Sequence, residues 1–172
     1  MARSCTTLDL DAFEATRDAV ARDPSVGRGT WTTTTTWQDG ARAHTTARSF
    51  SIETDEPEAL GGTDAAVDPM ELLLAAIGTC LTIGWVTQAR QRGIDYRDLR
   101  IDVTGEFDLR GYLDLDEETR PGFTSISYTV SVDTDASPEV LAEIQEITER
   151  TSPMYDSVLN ATPMTGRIAV AA

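Results

Sequence analysis

The chain has 172 residues, enough for one domain with a real core but too few for two comfortable ones. Hydrophobic residues make up 40% and charged residues 25%, which is a globular rather than a disordered composition. The net charge is −15, with 29 carboxylates against 14 cations that are all arginines. This charge argues against nucleic acid or an anionic membrane as partner, because both are polyanions.

An acidic chain without lysine also predicts a halophilic protein, because high salt screens the self-repulsion of its carboxylates. The two cysteines, Cys5 and Cys80, are too far apart for a disulfide framework of the secreted kind or for metal-ligand spacing. The N-terminal segment lacks the pattern of a signal peptide. The longest apolar stretch, Met70 to Val86, is short for a membrane span. We therefore expect a cytoplasmic protein.

Two kinds of element are predicted before residue 68. Apolar residues near helical spacing predict a short amphipathic helix over Leu8 to Arg22, within an N-terminal appendage of residues 1–26. A single α+β domain is expected over 27–172. At its start, two β-branched runs around the turn Asp39-Gly40 predict a hairpin, and the threonine run 32–36 belongs to its first strand.

The segment DPMELLLAAIGTCLTIGW, from Asp68 onward, predicts a long helix. Asp68 is a good N-cap, proline follows at the first helical position, and Glu71 is placed to complete a capping box. The pattern continues to about Arg92, where Gly93 suits the C-terminal cap. The helix would be roughly 36 Å long and apolar on nearly every face, which is typical of a buried central helix.

The remainder of the chain predicts strands and helices in turn. Alternating apolar residues indicate a strand over 99–109 and a second strand over ISYTVSVD. Ser137-Pro138 and Ser152-Pro153 each carry the start signal of a helix, and the final segment TGRIAVAA reads as a last strand. This order gives an α+β fold with a long central helix packed against antiparallel sheets.

The long helix also predicts the assembly. A helix that is apolar all round needs cover on every side, and the strands of one small domain cover about one face. A second copy of the chain is the simplest source of the missing cover, so we expect an obligate homodimer.

The helix motif P-x-E-L-L-L-A-A-x-G-x-C-L resembles that of the OsmC/Ohr family (osmotically inducible protein C and organic hydroperoxide reductase). The resemblance continues through the GID segment after the helix, the paired strands and SPMYDSVLNATP, and it covers about Gly27 to Val170. It implies an intertwined α+β homodimer whose central helices are wrapped by sheet. It also implies reduction of organic hydroperoxides in oxidative stress defence by two cysteines, assisted by an arginine and a glutamate.

Residue by residue, the resemblance implies that Cys80 is the cysteine that attacks the peroxide. The second cysteine of the family precedes a proline, and here that residue is Ser152, which cannot form the resolving disulfide. The family glutamate directly follows the helix-starting proline, where this chain has Met70, and Glu71 comes one residue later. The assisting arginine lies in the N-terminal strands, where Arg28, Arg42 and Arg48 are candidates and Arg48 is preferred.

Three hypotheses follow for the function. The first is a one-cysteine thiol peroxidase that uses Cys80, Arg48 and Glu71, takes a small hydrophobic peroxide and is regenerated by an external thiol reductant. The second is a non-enzymatic dimer that binds an apolar small molecule or acts as a redox sensor. The third is a structural or regulatory dimer without small-molecule chemistry, in which Cys80 is a small core residue, Glu71 a capping residue and Ser152 an N-cap.

No cofactor or metal is expected, since His44 is the only histidine and lies in a strand without a cysteine nearby. Cys5 is a weak candidate for resolving an oxidised Cys80. The three tryptophans are expected in the core or at the dimer interface, and they are Trp31, Trp37 and Trp85.

Overall fold

The structure is a computed structural model that describes residues 7–170. Its first helix, α1 (Leu10–Arg22), begins after Asp9, whose carboxylate accepts a backbone hydrogen bond as an N-cap. None of the residues of α1 is buried, as expected of an appendage. The amphipathic helix predicted over Leu8–Arg22 is therefore confirmed to within two residues.

A three-stranded antiparallel sheet follows, where the sequence predicted a single hairpin. The turn at Gly40, which has a φ of 52°, joins the first two strands as expected. The third strand was missed because its turn contains Arg48, a non-glycine residue at a φ of 57° and not a usual turn signal. The strands are β1 (Thr34–Asp39), β2 (Arg42–Ala47) and β3 (Phe50–Thr54).

The long helix α2 (Pro69–Gln91) begins with the predicted capping box. The Asp68 carboxylate accepts the Met70 N–H at 2.6 Å, and the Asp68 N–H donates to the Glu71 carboxylate at 3.1 Å. The helix ends before Gly93, which has a φ of 67°. Both ends of the predicted helix are thus confirmed.

A second sheet of two antiparallel strands lies against α2. Its strands are β4 (Asp98–Glu106) and β5 (Ser125–Asp133), and their inward residues alternate with exposed ones. The predicted continuation of β4 to Leu109 is wrong. The strand stops at Glu106 because Asp108 caps a short helix, α3 (Leu109–Tyr112), by accepting the Arg110 N–H.

Helix α4 (Pro138–Thr151) and helix α5 (Pro153–Leu159) begin at the two predicted Ser-Pro steps. Helix α4 packs so closely on α2 that a Cβ atom added at Gly84 would lie 2.6 Å from the Thr148 side chain. The buried core joins α2, the loop before β4 and α4, and it is formed by Trp85, Ala89, Tyr96 and Ile144.

Two predictions differ from the structure at the surface. Residues 160–170 form no strand, because no neighbouring strand pairs with them within the chain. Trp31 and Trp37 are 84% and 74% exposed, so within one chain they are not core residues, whereas the predicted core position of Trp85 is confirmed. A place for the two exposed tryptophans at an interface stays a prediction.

Helix α2 is covered on one side by β4, α4 and α5, but a row of its residues at a spacing of four remains exposed. The row contains Ala75, Thr79 and Ile83, and Ile83 is 65% exposed. One chain therefore leaves part of its apolar central helix uncovered, as the sequence predicted.

The loop between β3 and α2 is stabilised by the buried carboxylate of Asp55, a role that was not predicted from the sequence. Asp55 is 1% exposed and accepts hydrogen bonds from the N–H groups of Glu56, Thr63 and Ala65 at 2.9–3.1 Å. The Thr63 hydroxyl donates a fourth at 2.6 Å. These hydrogen bonds, with that of the Thr63 hydroxyl the strongest, lower the pKa of Asp55 to about 2.

We predict that Asp55→Asn destabilises the fold, because an amide would direct its own N–H groups at donors that are already buried. The melting temperature should fall by about 5–10 °C, while Asp64→Asn, in the same loop but exposed, should leave it nearly unchanged. Since the pKa of Asp55 is lowered, its contribution is complete above pH 4 or so and is lost as the pH falls towards about 2. The difference in melting temperature between wild type and Asp55→Asn should therefore shrink as the pH falls over that range. Equal melting temperatures at neutral pH would contradict this role.

Candidate functional site

Cys80 lies in the middle of α2, on the side of the helix that faces the junction of α4 and α5. Its side chain is half-buried and forms no disulfide. The junction is sharp because a single residue, Ser152, is both the C-cap of α4 and the N-cap of α5. Pro153 then fixes the first turn of α5. This turn brings Ser152 to Cys80 although 72 residues separate them in the chain.

Ser152 gives Cys80 a directed hydrogen bond. The hydroxyl accepts the Tyr155 N–H at 3.2 Å and donates its proton to Cys80 Sγ at 3.3 Å. Ser152 is only 5% exposed, so water has little access to this hydroxyl. The sulfur that would act as the nucleophile therefore accepts a hydrogen bond from a fixed hydroxyl group.

Ser152 occupies the position that the sequence assigned to the second cysteine of a peroxidatic pair. Its predicted role as N-cap of α5 is confirmed, and its hydroxyl contacts Cys80 Sγ. A hydroxyl cannot form a disulfide, so the pair in this chain consists of a thiol and a hydrogen-bond donor. Cys5 lies outside the described residues.

Tyr128, on β5, supports the α4–α5 junction. Its hydroxyl donates to Glu149 of α4, and its ring meets the Tyr155 ring edge-on with a centroid distance of 6.3 Å. Burial raises the pKa of Tyr128, and the hydrogen bond with Glu149 raises it further, so the hydroxyl remains a donor at neutral pH. Tyr128 thereby helps to position Tyr155, whose N–H holds the Ser152 hydroxyl.

The structure does not bring a candidate arginine to Cys80 within one chain. Arg48 lies in the β2–β3 turn rather than in a strand, and its guanidinium is 5.5 Å from the Trp31 ring and 5.2 Å from the Phe50 ring. Between residues 7 and 170, no hydrogen bond joins Cys80 to an arginine, and no ion pair involves Arg28, Arg42 or Arg48. Assistance by one of the three remains a prediction.

Glu71 has the capping role that the sequence favoured, since its carboxylate accepts the Asp68 N–H. It precedes Cys80 by nine residues on α2, which is about 14 Å along the helix axis. Glu71 therefore does not reach Cys80 of its own chain, and a role in orienting an arginine stays a prediction.

The histidine and the acidic residues do not form a metal centre in the described part of the chain. No group of three or more histidine, cysteine, aspartate or glutamate side chains there is placed to hold a metal ion. His44 instead pairs across two strands with Glu53, at 2.5 Å between Nδ1 and Oε1.

The family is shown by comparison with known proteins. A family model described as OsmC-like protein matches residues 62–166, which is more than half of the chain, and the chain belongs to this family. No curated protein matches the chain. Helix α2 is long and apolar enough to cross a membrane by length and composition alone, but it fits the core helix of this generally soluble family.

Solved structures agree in fold. An OsmC-like protein from Mycoplasma pneumoniae is 15% identical with a TM-score of 0.67, over 77% of this chain and 89% of that one. An OsmC-like protein of unknown function from Vibrio cholerae is 12% identical with a TM-score of 0.59, over 76% and 94%. An organic hydroperoxide resistance protein from Legionella pneumophila is 15% identical with a TM-score of 0.54, over 76% and 89%. The expected α+β OsmC fold is thus confirmed, and a peroxide-resistance role is supported at the level of the family.

We predict that Ser152→Cys will form a disulfide with Cys80, because the two side-chain atoms are already 3.3 Å apart and a cysteine side chain is longer. In a Cys5→Ser background, mild oxidation should remove the mass of two hydrogens, and peptide mapping should link residues 80 and 152. Ser157→Cys, on the exposed part of α5, is the matched control and should stay reduced. Equal cross-linking of both variants, or none in Ser152→Cys, would contradict the geometry.

Proposed function

We propose that this protein is a one-cysteine thiol peroxidase that reduces organic hydroperoxides in the cytoplasm as part of oxidative stress defence. The observation that carries the proposal is the hydrogen bond from the buried Ser152 hydroxyl to Cys80 Sγ. A thiol that only filled the core would be fully buried without a directed donor, whereas this sulfur is half-buried and accepts a hydrogen bond from a fixed hydroxyl.

The chemistry needs one thiolate and two external thiols. The Cys80 thiolate attacks the terminal oxygen of the hydroperoxide, the O–O bond breaks, and the alkoxide takes a proton and leaves as an alcohol. Sulfur is oxidised to sulfenic acid, and Ser152 would keep a hydrogen bond to the oxidised group. A first external thiol then displaces water to form a mixed disulfide, and a second thiol releases Cys80 and leaves as a disulfide.

The surroundings of Cys80 favour an organic substrate over hydrogen peroxide. Two of its neighbours on α2, Ala76 one turn before and Ile83 one turn after, are apolar and at least partly exposed. An alkyl or aryl group attached to the peroxide would contact these side chains, while hydrogen peroxide would gain nothing from them.

Because position 152 is a serine and not a cysteine, we propose that the reductant comes from outside the protein. In a two-cysteine peroxidase the second thiol resolves the sulfenic acid within the protein. Here the corresponding side chain is a hydroxyl, which stabilises charge but donates no electrons. We therefore propose a low-molecular-weight thiol or a dithiol protein as electron donor.

The working unit is proposed to be a homodimer. The exposed row on α2 that contains Ala75, Thr79 and Ile83 would be covered by the second copy, because no element within residues 7–170 covers it. The same association would supply a cation for Cys80, which contacts none among residues 7–170, and Arg48 of the second copy is the first choice.

We predict that the protein consumes cumene hydroperoxide in the presence of a dithiol, and that Cys80→Ser lowers the rate by roughly 100-fold or more because the nucleophile is lost. A sulfenic acid at Cys80, trapped with dimedone and located by mass spectrometry, should precede turnover.

Cys5→Ser is the matched control and should keep the full rate. Equal labelling of both cysteines, or an unchanged rate in Cys80→Ser, would contradict the peroxidase. Fast labelling of Cys80 without turnover under any thiol would favour the redox sensor.

We predict that the protein sediments at twice the chain mass in molar salt, and that Ile83→Glu shifts it towards the single chain by placing a charge in the interface. Leu115→Glu is the matched control, since Leu115 is also an exposed aliphatic residue (71%) but is not part of α2. A single-chain mass for the wild type would contradict the dimer.

A further inference from the structure

A cavity of about 600 Å³ lies between the start of α2, the end of β4 and the segment that carries α3. Its size is that of a site for a small organic molecule. Cys80 is not among its lining residues, and of the residues of the site described above only Glu71 borders it. Nothing in the proposed peroxidase reaction uses it.

The wall of the cavity is mainly apolar and partly aromatic. Two of its rings, Phe107 and Phe123, lie 6.4 Å apart and tilted by 60°, and Tyr112 adds a third. Aliphatic side chains complete this part of the wall, and they include Leu60, Leu74 and Leu109. An apolar tail bound in the cavity would remove these side chains and its own surface from water, which favours binding.

The charged residues in the wall are carboxylates. They are Glu56, Asp68, Glu71 and Asp108, and no arginine is among the lining residues. Asp108 is neutralised by Arg110 at 2.6 Å, and Asp68 and Glu71 form the capping box of α2. Of these carboxylates only Asp108 is paired with a described cation, and Glu56 lies next to Asp68, which has none.

The position of Glu56 explains why its charge is costly. Burial raises the pKa of Glu56, and the neighbouring Asp68 carboxylate raises it further. Two carboxylates next to each other at the edge of an apolar cavity repel each other unless a proton or a cation lies between them. A bound cation would relieve that repulsion.

The backbone around Glu56 is rigid, so the cavity is formed in advance. Asp55 accepts the Glu56 N–H at 2.9 Å, and the Glu56 carbonyl accepts the Asp64 N–H at 3.1 Å. The chain is packed so closely here that a Cβ atom added at Gly62 would lie 1.8 Å from the Glu56 carbonyl oxygen. A site that needs no rearrangement costs less to occupy.

From these contacts we infer that the cavity binds a small molecule with a protonated amine and an apolar, preferably aromatic, tail. The ammonium group donates to Glu56 and Asp68, where the negative charge is not compensated, and the tail lies against Phe107, Tyr112 and Phe123. Charge complementarity selects this class over neutral or anionic molecules of the same shape, and the face of an aromatic ring adds attraction for the cation.

The test uses three probes of one shape and different charge, titrated calorimetrically into the full-length protein. Phenylbutylamine is the cation, phenylbutanol the neutral analogue and phenylbutyrate the anion. The amine should bind roughly tenfold or more tightly than the alcohol, and the carboxylate should bind most weakly. Similar affinities for amine and alcohol would overturn the inference, as would no binding of any probe, the result expected if a second copy of the chain fills the cavity.

Glu56→Gln keeps the shape of the side chain and removes its charge, so it should abolish the preference for the amine while the alcohol binds as before. The unchanged alcohol affinity shows in the same experiment that the cavity is intact. Glu58→Gln, which changes an exposed carboxylate two residues away, is the matched control and should keep the full preference. A preference that persists in Glu56→Gln would overturn the assignment.

Discussion

The site depends on the hydrogen bond between Ser152 and Cys80, because it joins the two parts of the chain that would carry the chemistry. Helix α2 supplies the sulfur, and the sharp α4–α5 junction supplies the hydroxyl. Removing the junction would leave Cys80 as an ordinary thiol in an apolar helix. The close approach of Gly84 to Thr148 sets the distance between α2 and α4, and so the core and the site depend on the same contact.

The strongly acidic chain uses some of its carboxylates as structural acceptors. Asp68 caps α2, and Asp55 collects four donors in the loop that leads to it. These two residues fix where α2 begins, and α2 in turn places Cys80 three turns further on. Glu56 has no such structural acceptor role for its side chain and instead borders the apolar cavity beside Asp68, which is why the inferred ligand is a cation.

Much of the fold could be predicted from the sequence, because its strongest signals are local. The capping box at Asp68 and the serine-proline steps at 137 and 152 each use side chains that act on the adjacent backbone, so helix starts are encoded where they occur. The third strand and the end of β4 were missed because Arg48 and Asp108 take turn and cap roles that many other residues could take.

The site was only partly predictable. The spacing of a helix motif identifies Cys80, but a contact across 72 residues, such as that of Ser152, depends on tertiary packing. Position 152 was paired with Cys80 through the family resemblance, because sequence spacing alone does not predict a contact between them. Asp55 is buried because the loop folds back and places the N–H groups of Thr63 and Ala65, eight and ten residues later, on its carboxylate. Such a loop has no periodic sequence pattern from which it could be predicted.

The most direct measurement is the second-order rate constant for oxidation of Cys80 by cumene hydroperoxide in wild type and in Ser152→Ala. Ser137→Ala, which removes the N-cap of α4 away from the sulfur, controls for the loss of a cap. Our account predicts that Ser152→Ala oxidises about tenfold more slowly and that Ser137→Ala matches the wild type. Equal rates in all three proteins would show that the hydroxyl does not activate the thiol and would contradict the account.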